Sequence, residues 1–181
     1  MIAIIDYEAG NSSSVKHATD ALGIDATLVS KADEIETASK IILPGVGSAD
    51  TTILSLKNLN ILDAIENAVL NKKIPFLGIC VGQQIIFDYS EEGHTHCLGW
   101  IKGKVSQFDS SKVRVPQMGW NKVTFDQEKF KTLNNYYYFA NSYYSQIFDQ
   151  ALASAEHSES FAAVIQKDNF LGCQFHPEKS S

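Results

Sequence analysis

Short apolar runs separated by stretches of helical period constrain this chain more than any other feature. "MIAIID" closes on Asp6, and "NSSSVKHATDALG" then offers cap-type residues, Val15, Ala18, Ala21 and Leu22 on one helical face, and Gly23 as a stop. "DATLVS" and "KIILPG" read as two further strands, and "NILDAIENAVLNKK" repeats Ile61, Leu62, Ile65, Ala68 and Val69 at helical spacing. "IPFLGI" is apolar without alternation, which marks a central strand buried on both faces. Strands alternating with helices imply a parallel sheet covered on both sides. "VGQQIIFDYS" is predicted as a helix starting just past Cys80. After Gly93 the texture changes to "GKVSQF", "KVRV", "NKVTF", "YYYFA", "ALASAE", "FAAVIQ" and "NFLGCQF", which read as short strands of a more antiparallel layer. No repeat or linker divides the chain, so one domain over residues 1–181 is expected.

The 181 residues, 44% of them hydrophobic, suffice for one sizeable core. The net charge of −6 is scattered, and Lys pairs such as Lys72-Lys73 are not interleaved with aromatics, which argues against nucleic acid as a partner. The start carries no basic lead, and no stretch approaches the roughly 20 apolar residues of a membrane span, so a soluble cytoplasmic protein is expected. Cys80, Cys97 and Cys173 are too few and too far apart for a disulfide framework, and no C-x-x-C pair suggests zinc. His94-x-His96 lacks the accompanying ligands of a metal site. No metal and no cofactor are expected.

Gly78-Ile79-Cys80-Val81-Gly82 places a nucleophile type between a strand and a helix, with glycine two positions to either side. This is the pattern of a nucleophile elbow, in which neighbours without Cβ let strand and helix pack around a strained residue. A following helix would offer unpaired N–H groups and a positive end to a thiolate or an oxyanion. A buried structural cysteine between ordinary turn glycines is the alternative. At the chain end, "GCQFHPEKSS" supplies a base: His176 follows an apolar run, Pro177 stops the strand, and Glu178 stands two residues on. His176 could take the thiol proton and Glu178 fix the imidazole tautomer, whereas a lone histidine at a strand end would be mere surface. In "LPGVGSAD", the Gly45-Val46-Gly47 segment can turn N–H groups toward an oxyanion or can be a plain turn, and no phosphate-loop lysine follows it.

Together, "PGVGSAD", "PFLGICVGQQIIF" and "GCQFHPEKS", in this order, closely resemble the class I glutamine amidotransferases. Within them, "IAIIDYEAGNSSSVKHA", "VPQMGWNKV", "YYYFANSYY" and "HPEKS" are most similar to the glutaminase subunits of imidazole glycerol phosphate synthase, and the likeness spans the chain. The resemblance implies a flavodoxin-like α/β fold, with a central mostly parallel sheet flanked by helices and a smaller antiparallel layer. It implies a Cys80-His176-Glu178 triad that hydrolyses L-glutamine through a thioester, with Gly45, Val46, Gly47 and Val81 at the oxyanion. It implies substrate contacts at Gly82, Gln84, Asn141, Ser142 and Tyr143, though Gln84 can equally be an exposed helix residue and Ser142 a turn residue.

Ammonia released to bulk water would be protonated, so a partner must receive it. The resemblance implies a (β/α)8-barrel cyclase forming imidazole glycerol phosphate in a heterodimer, with Asn11, Trp120, Tyr138 and Lys179 at the interface. Trp120 as a core residue is the alternative. Val81, Gln83, Ala49 and Asn141 depart from the family's usual Leu, Met, Phe and His, and Ala49 and Asn141 fall where substrate or partner would be sensed. Members usually continue past "HPEKS" with a final helix. Three other functions remain open: a homologous subunit feeding ammonia to a surface-polysaccharide sugar synthase, a non-catalytic interaction subunit, and a free-standing cysteine hydrolase or peptidase.

Overall fold

The computed structural model describes residues 1–8 and 11–180. Ala9 and Gly10 of the first loop, and the final Ser181, lie outside the described residues. The first half is built from β1 (Ile2–Ile5), α1 (Ser12–Ala21), β2 (Ala26–Val29), α2 (Ala32–Glu36), β3 (Lys40–Leu43), α3 (Ala49–Asn58), α4 (Leu62–Glu66), which runs on into a wider turn over Asn67–Asn71, and β4 (Phe76–Ile79). A one-turn helix α5 (Val81–Gln84) follows, then β5 (Phe87–Ser90), β6 (Thr95–His96), β7 (Ile101–Gln107), β8 (Gln117–Phe125), β9 (Asn135–Asn141), β10 (Tyr143–Ser145), β11 (Ala151–His157), β12 (Glu159–Lys167) and β13 (Phe170–Cys173).

Among the described residues the strands form a nine-stranded sheet in the order β2-β1-β3-β4-β13-β12-β11-β8-β9 and a four-stranded sheet β10-β7-β5-β6. β2, β1, β3, β4 and β13 run parallel to one another, while β12, β11, β8 and β9 continue the same sheet in antiparallel fashion. Most of the antiparallel second half therefore extends the central sheet, and the smaller layer is the four-stranded sheet. β4 is central as expected, bonded to β3 on one side and β13 on the other. Its neighbours share one long core in which Ile4, Ile5, Leu43, Phe139 and Phe161 are fully buried. The cover is uneven: Ile42, Leu77 and Leu171, in register on one face, stay partly exposed along a groove of about 510 Å³.

One expected helix is cut short and one expected strand does not form. The helix predicted over "VGQQIIFDYS" ends at Gln84, because the Ile85 and Ile86 carbonyls accept from the N–H groups of Leu98 and Ile101 and Phe87 enters a sheet. A short helix gains too little from its own ladder to resist such long-range partners. "KVRV" is not a strand: Asp109 accepts from the backbone N–H and hydroxyl of Ser111 and closes a turn that carries the chain to Pro116.

Gln83 is fully buried under Gly172, whose missing side chain leaves room for it. Its amide donates over long distances, 3.4 Å to the Ser145 hydroxyl and 3.5 Å to the Ala162 carbonyl, and its Oε1 has no partner. A buried unpaired acceptor costs about 1–3 kcal/mol, more than two long bonds return. Gln83→Met should therefore raise the thermal midpoint by about 2–4 °C, the shift that about 1 kcal/mol gives in a chain of this size; a lower midpoint would show the amide to be stabilising.

Candidate active site

The parallel strands deliver their C-terminal ends to one edge, where crevices in open α/β sheets bind ligands. Cys80 follows β4 with φ 53° and ψ −108°, a left-handed backbone that a residue with a side chain rarely holds. Close packing keeps it there. A Cβ on Gly78 would stand 2.4 Å from the Gly82 carbonyl, and one on Gly82 would stand 2.1 Å from the Leu43 carbonyl. A Cβ on Gly45 would meet the Gly82 nitrogen and the Val81 side chain at 2.8 Å. The Cys80 N–H is held by the Cys173 carbonyl at 2.8 Å, which ties the elbow to the end of β13.

The base arrives from that neighbouring strand. The His176 N–H donates to the Tyr138 carbonyl at 2.8 Å, and the one-turn segment Pro177–Lys179 turns Glu178 back so that its Oε1 lies 2.9 Å from His176 Nδ1. Both side chains are almost wholly buried. Asn11 Nδ2 donates to the same carboxylate oxygen. Burial alone pulls the imidazole pKa down, but contact with the Cys80 thiol and the Glu178 carboxylate outweighs it, and the net effect raises His176 to about 10. The ring therefore holds its proton at neutral pH.

Cys80, Val81 and His176 line a cavity of about 180 Å³ with Val46, Gly47, Gln84, Glu92, Asn141, Ser142 and Tyr143. That volume is below the roughly 300–1,000 Å³ of drug-sized pockets and suits a small amino acid rather than a peptide. The start of α5 leaves the Val81 N–H without an intrahelical partner, and Val46 and Gly47 add a second stretch of backbone to the same cavity lining. Tyr7, buried beneath, donates from its hydroxyl to the Pro44 carbonyl at 3.0 Å and so anchors the base of that stretch.

The model of the family described as glutamine amidotransferase class-I matches residues 3–181. This chain belongs to that family. The amidotransferase is 41% identical over 187 residues to the imidazole glycerol phosphate synthase subunit HisH 2 of Methanococcus maripaludis, covering 99% of this chain and 93% of that protein. It is 40% identical over 190 residues to the subunit HisH of Leptospira interrogans, at the same coverage. Among solved structures it resembles a glutamine amidotransferase, with TM-score 0.79, 19% identity and coverage of 98% of this chain and 91% of that one. It also resembles PurLQS from Thermotoga maritima, with TM-score 0.73, 20% identity and coverage of 98% and 87%. These likenesses show the shared fold.

The cavity gathers most of the residues singled out in the amidotransferase sequence, but not all. Gly45 and Gly82 do not line it; they supply the close approach that supports its floor. Gln84 is buried rather than an exposed helix residue. Asn141 Nδ2 donates to the Tyr143 carbonyl at 2.9 Å, and its Oδ1 has no partner. Ala49 is fully buried at the start of α3, so it cannot itself touch a partner. Asn11 spends its amide on Glu178, whereas Trp120 is 55% exposed and faces Tyr138 across the strands at 6.2 Å, which excludes its reading as a core residue. Lys179 is exposed and reaches the Ser14 hydroxyl at 3.4 Å.

Two residues of the cavity region carry no mark in the sequence reading. Glu92 lines the cavity and accepts from the Ala49 N–H at 2.9 Å; desolvation raises its pKa against that bond, and Asp50 adds to the rise. Nothing in "EEG" separates Glu92 from a solvated acid. Gln174 is fully buried beside Cys80, and its position two residues before His176 was a usable signal.

The raised pKa of His176 has a stability consequence. Because the folded ring binds its proton more tightly than a free imidazole, the contribution is complete below about pH 6.5 and is lost as the pH rises through about 10. Glu178→Gln removes one of the raising groups, so an NMR titration should place the His176 pKa below the wild-type value. The stability advantage of wild type over this variant in urea unfolding should shrink as the pH rises from the variant's own His176 pKa toward about 10, and an advantage that stays constant across that range would contradict the assignment.

Proposed function

We propose that this chain is a glutaminase subunit that hydrolyses L-glutamine and hands ammonia to a (β/α)8-barrel cyclase, the two forming a heterodimer that makes imidazole glycerol phosphate in histidine biosynthesis. The observation that carries the hydrolytic part is the convergence of a strained Cys80, the His176–Glu178 pair and open backbone N–H groups on one amino-acid-sized cavity. The names and near-complete coverage of the relatives support the pathway and the existence of a partner subunit. Among the described residues no helix is long and apolar enough to cross a membrane.

The thiolate of Cys80 attacks the side-chain carboxamide carbon while His176 holds the proton. The oxyanion is received by the Val81 N–H and by backbone of the Gly45-Val46-Gly47 segment. As the tetrahedral intermediate collapses, the C–N bond breaks, His176 protonates the leaving nitrogen, and ammonia departs. Water, deprotonated by His176, then adds to the thioester carbon; the C–S bond breaks, the thiol returns and glutamate leaves. Glu178 holds Nδ1 throughout, so that Nε2 is the nitrogen that exchanges the proton.

At the other end of the substrate the cavity offers acceptors. Gln84 uses its Nε2 on the Tyr143 carbonyl and on Gln174 Oε1, both at 3.0 Å, so only its Oε1 remains for a ligand. With the Glu92 carboxylate this makes a place for the substrate ammonium, and Ser142 stands nearby for the carboxylate. The outer face of β8 and β9, with Trp120 and Tyr138, adjoins the cavity wall at Ala140 and presents an aromatic docking surface beside the point where ammonia is released.

The chain mixed with a cyclase subunit should release glutamate from glutamine, with much less release when the subunit is absent, and the pair should relieve histidine auxotrophy. Cys80→Ala should abolish turnover by at least about 10³-fold. Glu92→Gln should raise KM by about 10–100-fold with a smaller effect on kcat, as expected for a charged contact to substrate. Robust turnover by the isolated chain, unchanged on adding the cyclase, would favour a free-standing hydrolase; glutaminase activity without relief of auxotrophy would favour ammonia delivery to another synthase.

A further inference from the structure

The fully buried Gln174 ends a chain of amides whose directions are set by a group that cannot reverse. The Tyr143 carbonyl can only accept, and it receives Gln84 Nε2 at 3.0 Å. The nitrogen end of Gln84 is therefore the end turned toward β10, and its second N–H meets a Gln174 oxygen at 3.0 Å. With Oε1 of Gln174 taken up in this way, its Nε2 is the atom left to face Cys80, 3.5 Å from the sulfur. Gln174 itself is held on both sides of its side chain: its backbone N–H donates to the Ala163 carbonyl at 2.9 Å, and Cys173 before it accepts the Cys80 N–H.

We propose that Gln174 is a further residue of the glutaminase reaction, donating to the nucleophilic sulfur from Nε2 while its Oε1 orients Gln84 toward the substrate ammonium. This rests on the glutaminase reading of the cavity given above. The side chain couples two tasks. A donor aimed at the sulfur favours the thiolate over the thiol, since a hydrogen bond to an ionised acceptor is roughly twice as strong as one between neutral groups. The same amide prevents Gln84 from rotating, so Gln84 meets the cavity with its acceptor and not its donor. A substrate ammonium is thereby matched, and a second carboxamide in the same orientation is not.

The two tasks separate in two substitutions of similar size. Gln174→Met loses both the donor and the acceptor. It should slow alkylation of Cys80 by iodoacetamide, followed by mass spectrometry of the Cys80 peptide, by about tenfold. It should also move the pH dependence of alkylation upward and raise KM for glutamine in the complex with the cyclase. Gln174→Glu keeps an acceptor for Gln84 but replaces the donor at the sulfur; alkylation should slow at least as much as in the Met variant, with a smaller rise in KM. Far-UV circular dichroism and the thermal midpoint establish that each variant is folded, and the Glu variant serves if the Met variant is not. Alkylation of a folded Gln174→Met or Gln174→Glu variant at the wild-type rate, with an unmoved pH dependence, would overturn the proposal. So would equal losses in both variants on every readout, which is what a merely structural residue predicts. Failure of the wild-type complex to release glutamate would sink the glutaminase reading instead, and the alkylation measurements would still decide the role of Gln174 at the sulfur.

Discussion

The site depends on one steric constraint: three stretches of backbone approach one another so closely around Cys80 that no side chain fits between them. Gly82 lies under the Leu43 carbonyl, Gly78 under Gly82, and Gly45 against Val81 and Gly82. This contact forces the left-handed conformation on the cysteine, and it also joins the end of β3 to the start of α5. The strain of a non-glycine residue at positive φ, of order 1–3 kcal/mol, is sustained by the burial of β4 between β3 and β13. The Gly45–Gly47 backbone and Cys80 are thus parts of one packed unit.

Around that unit the polar groups are buried but ordered by one-way partners. Carbonyls of Tyr143, Tyr138 and Cys173 can only accept, and each fixes a donor that in turn fixes a functional group: Gln84, the backbone of His176 and the backbone of Cys80. The Glu178 carboxylate performs the same service for His176 Nδ1 and is itself steadied by Asn11. Only a short helix follows the sulfur. A single turn opens the Val81 N–H, and the Gln174 amide nitrogen lies 3.5 Å from the sulfur.

The antiparallel extension of the sheet gives the molecule its second side. β12 continues from β13, so the strand that ends in the base is braced by the strands that carry the aromatic outer face. Tyr138 belongs to both, its carbonyl holding His176 and its ring facing Trp120. A subunit docked on that face would press directly on the strand that positions the base, which gives a short physical route between docking and turnover.

Much of this was legible before any folding. The glycines about Cys80, the Pro44–Gly47 turn and the His176-Pro177-Glu178 terminus are local patterns, each ambiguous alone and specific only when all three are read together. The strands from "MIAIID" to "IPFLGI" are likewise written in local hydrophobicity. What local pattern could not state were outcomes decided by distant partners: the early end of α5, set by Leu98 and Ile101; the turn at Asp109 in place of a strand; and the burial of Ala49 and Gln83. Glu92 and Gln174 belong to the same group. Their chemistry comes from the cavity they share with Cys80 and His176, and an acid or amide acquires direction only when the fold removes its water and supplies a partner that cannot turn.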